Sequence, residues 1–193
     1  MTAQLIDGKL IAQQVRDEVA ATVAKRTAAG KPKPTLATVL VGDRPDSAAY
    51  VRAKGKACEE LGMGSVSHHL PADISQEELE KLIKKLNRSK KVNGILVQLP
   101  LPSHLDEERV LQLISIEKDV DGFSPINIGR LAQKGREPLF VPCTPYGCIY
   151  LLEKAGVATV PGEVFGTPQH IRISYAVADS DIREGFQKIA EVL

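Results

Sequence analysis

Tyr50 and Lys54 stand four residues apart in the stretch DSAAYVRAKGKACEELG. On a helix that spacing projects both side chains from one face, so both can reach one ligand. A tyrosine ring offers a stacking surface and a hydroxyl. A lysine in a partly desolvated cleft can have its pKa lowered until it moves protons near neutrality. The same spacing also occurs on many solvated helices. In GILVQLPLP, Gln98 falls at the C-terminal end of an apolar run, where open α/β sheets place ligand-binding groups. A glutamine buried there must find partners and could hydrogen-bond a neutral lysine amine; exposed, it is simply a loop residue. KDVDGF brings Asp119 and Asp121 into a tight turn. Asp-Gly is a turn signal first, yet the Asp121 carboxylate could also grip a guanidine-like edge through two hydrogen bonds.

The elements that must position these groups follow from periodicity. Ile11, Val15, Val19 and Val23 recur at helical spacing between Lys9 and Ala29, and the cluster from Gly30 to Pro34 ends that helix. TLATVLVG, Thr35 to Gly42, has the length and β-branched composition of a buried parallel strand. A helix opens near Asp46-Ser47 and closes at Gly62, SVSHHLP reads as a second strand, and SQEE opens a capped helix from Gln76 to Leu86. Val92 to Pro102 is a third strand ended by prolines. A polar helix spans about Asp106 to Ile114, and EKDVDGFSPINIGRLAQ, rich in turn residues, reads as irregular. TPYGCIYLLEKAG is a further helix, with Thr144 as cap, Pro145 in its first turn and Gly156 past its end. Alternating strands and helices predict a three-layer αβα fold with a mainly parallel sheet.

Composition narrows the function classes. The chain has 193 residues, 43% of them hydrophobic, and a formal net charge of +1 with acids and bases interleaved. No nucleic-acid footprint and no membrane surface are expected from such a balance. No apolar run reaches the length of about 18 residues that a membrane span needs. Cys58, Cys143 and Cys148 are an odd set without a disulfide framework, so a reducing cytoplasm is the expected compartment and the thiols are expected to pack as small apolar groups. Cys143 and Cys148 have no second pair at matching spacing, so no metal site is expected. His68, His69, His104 and His170 are scattered and receive no catalytic role.

The Tyr50/Lys54 pattern alone would also suit a short-chain dehydrogenase, but that family needs an early glycine-rich loop, and IDGKL is not one. Taken in order and spacing, VGDRPDSAAYVRAKGKACEELG, GILVQLPLP, EKDVDGFSPINIGRL and FVPCTPYGC resemble the bifunctional methylenetetrahydrofolate dehydrogenase/cyclohydrolase family from about Leu5 to Gly156. The resemblance implies that Lys54 is the catalytic lysine, assisting the opening and closing of the one-carbon bridge between two folate nitrogens. It implies that Tyr50 packs on the folate's aromatic system, that Gln98 tunes Lys54, and that Asp121 holds the pterin. Ser47, Val97, Leu99 and Pro100 would line the same cleft.

In that family the helix ending near Gly156 leads into a nucleotide-binding Rossmann domain, but the residues here contain no glycine-rich dinucleotide fingerprint. The remainder, from LLEKAGVATVPGEVFG through IRISYAVADSDIREGFQKIAEVL, is instead similar to the C-terminal end of fold-type I pyridoxal-phosphate aminotransferases. That likeness puts Arg172 where the family grips a substrate α-carboxylate, as a vestige. The expectation is therefore an engineered chimera, residues 1–156 from the folate enzyme and residues 157–193 from the aminotransferase. Neither NADP nor pyridoxal phosphate is expected as a cofactor. Expected partners are tetrahydrofolate derivatives and a second copy in a homodimer. Dehydrogenase activity should be absent and cyclohydrolase activity weak at most; the alternative is a working methenyltetrahydrofolate cyclohydrolase, and a transaminase is the remotest reading.

The tail should contribute a strand from Val157 to Val160, a turn at Pro161-Gly162, a strand from Ile171 to Ala176 and a helix from about Asp179 to Val192. Ile182, Phe186, Ile189 and Val192 or Leu193 recur on one face of that helix. The resemblance implies that the folate domain is normally completed by a helix returning from the C-terminus, so this stripe is expected to cover the same apolar face. Hydrogen exchange checks the idea: residues 171–193 should be protected together with the first 150, and an unprotected tail on a protected domain would refute it.

Overall fold

A computed structural model describes residues 7–154 together with 160–161, 171–172, 180, 183, 184 and 187. The chain begins with α1 (Gly8–Ala28), β1 (Thr35–Val41), α2 (Pro45–Glu60), β2 (Gly64–Leu70), α3 (Gln76–Arg88) and β3 (Gly94–Val97). It continues with α4 (Glu107–Leu113), α5 (Pro125–Ala132), α6 (Cys143–Lys154), β4 (Val160–Pro161) and β5 (Ile171–Arg172). The sheet has the order β2-β1-β3, and both pairings are parallel. Strand order thus reverses at β1. Right-handed crossovers then place α2, between β1 and β2, and α3, between β2 and β3, on opposite faces.

Alternation along the strands separates those faces. Ala37, Val39 and Val41 of β1 and Ile95 and Val97 of β3 join Leu79, Ile83 and Leu86 of α3 and Val110 of α4 in one hydrophobic core. α2 turns Ser47, Val51 and Cys58 inward, spaced four and then seven positions apart, one and two helical turns on a single face. α1 buries only Val23 fully, so its predicted apolar stripe covers a shallow surface.

Local chemistry sets the boundaries. Asp7 caps α1 by accepting from the Lys9 and Leu10 amides, each at 3.0 Å. The SQEE box forms as expected: Ser75 Oγ accepts from the Glu78 amide at 3.2 Å, and the Ser75 amide donates back to Glu78 Oε2 at 3.2 Å. Lys118 donates its ammonium to the carbonyls of Leu86, Asn87 and Ser89 at 2.8 to 3.0 Å, satisfying the free C-terminal end of α3. Burial lowers the pKa of that ammonium from its usual range.

Several boundaries differ from the sequence reading, among them the end of α3, which runs to Arg88 rather than Leu86. β3 occupies Gly94–Val97 rather than Val92 to Pro102, because the strand gives way to a loop that includes a cis Leu99-Pro100 peptide. The segment read as irregular contains α5, which Ser124 caps by accepting from the Ile126 amide at 3.3 Å, with Pro125 at the first helical position. α6 begins at Cys143, one residue before its expected cap Thr144, with the Tyr146 amide bonded to the Pro142 carbonyl at 3.2 Å. Pro161, expected in a turn, pairs with Ile171 in an antiparallel two-stranded ladder.

Of the expected tail, Val157–159, 173–176 and the apolar positions Ile182, Phe186, Ile189, Val192 and Leu193 lie outside the described residues, as does Gly156. Ser180, Arg183, Glu184 and Gln187 are helical. Among the described residues no helix is long and apolar enough to cross a membrane.

The core and the cap should differ in weight. Ile83→Ala removes a fully buried side chain and is expected to cost about 2 to 5 kcal/mol in denaturant unfolding. Ser75→Ala should cost only about 1 kcal/mol, since the lost cap lies at the surface.

Candidate active site

α2 carries Lys54 toward the end of β3. Lys54 Nζ donates to Gln98 Oε1 at 3.1 Å, joining two positions 44 residues apart. The amide of Gln98 has one available orientation there. Its Nε2 donates to the Leu99 carbonyl at 2.9 Å, so Oε1 must face the lysine. The Gln98 backbone amide is in turn fixed to the Val39 carbonyl at 2.8 Å, continuing the β1–β3 ladder one residue beyond the strand. The pairing expected from residue type is therefore a real contact in the fold.

Tyr50 sits one turn before Lys54 and is 64% exposed, so its ring is free to stack on an incoming group. Ser47 is only 4% exposed at the start of α2. Val97 is 2% exposed and belongs to the core beneath α3, so a ligand would meet its backbone rather than its side chain. Leu99 is half-buried against the same core, and Pro100 is exposed.

Asp121 approaches from the other side. Burial pushes its carboxyl above the ordinary value, the nearby Lys54 charge pulls it down, and Asp119 pushes it up again. Gly122 follows at φ +69°, a conformation that favours glycine. A Cβ there would lie 2.7 Å from the Pro142 nitrogen and the Val141 carbonyl carbon. The turn is thus pressed against the segment that starts α6, and this brings Cys143 to the site. Cys143 Sγ lies 3.6 Å from the Val120 carbonyl, and burial, then the Asp121 charge, raises its thiol pKa against the opposing pull of Lys54.

Cys143 is the residue that sequence reasoning missed. It was expected to pack as a small apolar group, yet Cys143 and Cys148 are both exposed and only Cys58 is buried. The available signal was its place after Pro142 at a helix start. Two of the histidines have other partners: His69 Nε2 lies 3.0 Å from the Gly42 carbonyl and 3.1 Å from Asp43, and His104 Nε2 lies 2.9 Å from the Ile74 carbonyl, whereas the buried His68 Nε2 has no hydrogen-bond partner among the described residues. His170 lies outside the described residues. The backbone of Arg172, in β5, pairs with Val160 of β4, and its side chain lies outside what the structure describes.

The raised Asp121 pKa fixes the sign of a stability effect. The folded state holds that proton more tightly than the unfolded chain, so the contribution is present below the ordinary value of 3.8 and is lost as pH rises through the raised folded value. Asp121→Asn removes the desolvated charge. Wild type should therefore lose stability relative to Asp121→Asn as pH rises from 3.8 toward neutrality, and a difference that stays flat across denaturant titrations in that range would contradict the assignment.

Comparison with known proteins matches this arrangement to one family. Residues 6–121 fit the profile of the tetrahydrofolate dehydrogenase/cyclohydrolase catalytic domain. The bifunctional protein FolD 4, chloroplastic, of Arabidopsis thaliana is 54% identical over 155 residues, covering 80% of this chain and 43% of the relative. The bifunctional protein FolD of Moorella thermoacetica is 55% identical over 157 residues, covering 81% of this chain and 55% of the relative. The crystal structure of the bifunctional FolD methylenetetrahydrofolate dehydrogenase/cyclohydrolase from Campylobacter jejuni superposes with a TM-score of 0.75 at 42% identity, over 81% of this chain and 55% of that one. The Trypanosoma brucei FolD, solved with NADP cofactor and inhibitor, gives 0.77 at 39% identity, over 81% and 54%. The chain spans about half the length of the relatives it matches. With the profile covering more than half of its residues, the chain belongs to the tetrahydrofolate dehydrogenase/cyclohydrolase catalytic-domain family.

Proposed function

We propose that this chain binds a tetrahydrofolate and hydrolyses its methenyl bridge slowly, with Lys54 as the proton-handling group. The observation that carries the reading is the Lys54–Gln98 hydrogen bond with Asp121 close enough to feel the lysine's charge. Tyr50 would stack on the ligand's aromatic system, and the Asp121 carboxylate would accept two hydrogen bonds from the guanidine-like edge of the pterin. Water adds to the bridging carbon and gives up one proton to solvent; Lys54 then takes the remaining hydroxyl proton and passes it to the departing ring nitrogen as the carbon–nitrogen bond breaks, leaving a formyl group on the other nitrogen. Gln98, which accepts from Lys54, keeps the amine aimed at that carbon.

The open setting argues for a modest rate. Tyr50 and Cys143 are both exposed, and water around them screens the attractions that orient Lys54 and Asp121. NADP, present in the Trypanosoma brucei structure, does not fit the described residues: the β1–α2 turn reads Gly42-Asp43-Arg44, not a glycine-rich phosphate loop. No hydride step is therefore derived. We assign the chemistry to residues 1–156.

The test follows the decay of methenyltetrahydrofolate absorbance without any nicotinamide cofactor. Lys54→Ala should slow the protein-dependent decay about 100-fold or more, to background, as expected for loss of a general acid–base group. Equal rates for wild type and variant would overturn the reading.

A further inference from the structure

Asp119 and Asn127 are buried polar residues outside the ligand-facing set, at 2% and 0% exposure. The Asp119 carboxylate accepts from the Phe123 amide at 3.3 Å, from the Ser124 amide at 2.8 Å and from Asn127 Nδ2 at 2.7 Å. Among the described residues no cation forms an ion pair with it, so three donors alone hold a buried charge. Every partner donates. An asparagine here would turn an NH2 group toward one of those donors, which gives a physical reason for a carboxylate.

Asn127 faces two ways. With Nδ2 on the carboxylate, its Oδ1 accepts from the Leu139 amide at 3.0 Å and from the Phe140 amide at 3.5 Å. The pair therefore ties together three segments. One is residues 118–120, which extend the sheet beside β3 through the Ile95 amide to Lys118 carbonyl bond at 2.8 Å. Another is the first turn of α5. The third is the approach to α6. Asp121 lies inside the turn so enclosed, which the Gly122 amide closes by donating to the Asp119 carbonyl at 3.1 Å.

We infer that the Asp119–Asn127 pair is the positioning element of this site, holding Asp121 toward Lys54 and Cys143 beside it while touching no ligand. The inference rests on the folate reading for its functional consequence, but the geometry can be tested without it. Among the described residues, the charged and titratable groups facing Asp121 are Lys54 from α2, Asp119 from its own turn and Cys143 from α6. Removing Lys54 should therefore raise the Asp121 titration midpoint wherever the two remain close.

The experiment titrates the Asp121 carboxyl by NMR in the full chain, with and without Lys54→Met, in wild-type, Asn127→Ala and Asn127→Ser backgrounds. In wild type the Lys54→Met change should raise the midpoint clearly. In both Asn127 backgrounds at least half of that response should vanish, although circular dichroism stays native. Methenyltetrahydrofolate affinity should fall about tenfold or more in the same variants. An undiminished Lys54 response in a folded Asn127 variant overturns the inference. So does failure of both Asn127 variants to fold, which would make the pair a folding element only. If wild type binds no folate while the Lys54 response behaves as described, the folate reading fails and the positioning role stands.

Discussion

β1 is hydrogen-bonded on both edges to parallel neighbours, β2 on one side and β3 on the other. Because parallel strands must be joined by a crossover of fixed hand, this central position sends α2 to one face and α3 to the other. The connection leaving β1 through α2 and the one leaving β3 toward α4 part above the carboxyl ends of those two strands, and the crevice between them is where open α/β sheets receive ligands. Lys54 descends from α2, and Gln98 rises from the end of β3. Their 3.1 Å contact is a consequence of the strand order.

Polar groups taken inside the molecule are handled by three different devices. Glu80 is surrounded by Arg109, Lys84 and Gln76, so its charge is paired and its pKa lowered. Lys118 finds helix-terminal carbonyls, which are natural partners for a cation. Asp119 relies on neutral donors alone. A half-satisfied group in any of these places would destabilise the fold, so each network is closed around a single geometry. Rigidity at the base of the site comes from that closure.

Above this base the surroundings change character. Tyr50, Phe123, Ile126, Leu139 and Tyr146 are large hydrophobic side chains left exposed. Asp121 is only half-buried; desolvation raises its carboxyl pKa, and the Lys54 charge pulls it back down. The arrangement combines a fixed scaffold with an accessible upper surface, consistent with ligand capture being easier to support than exclusion of water.

Much of this was legible in the residues. A continuous β-branched run located β1, a weak alternation β2 and a helical apolar stripe α1, while end residues marked α2 and the Ser75 box the start of α3, because those signals are local to the chain. The Tyr50/Lys54 face was readable for the same reason: helix pitch alone places them together. α5 was hidden because its turn-rich flanks carry the same residues that an irregular loop uses, and only Ser124 and Pro125 marked its start. The tertiary structure decided what no local pattern could: that Gln98 meets Lys54, that Asp121 reaches the same charge, that Cys143 stands beside them, and that Asp119 and Asn127 are buried beneath. Those contacts join residues far apart in the chain, and only the crossover geometry and the closed hydrogen-bond networks bring them within reach.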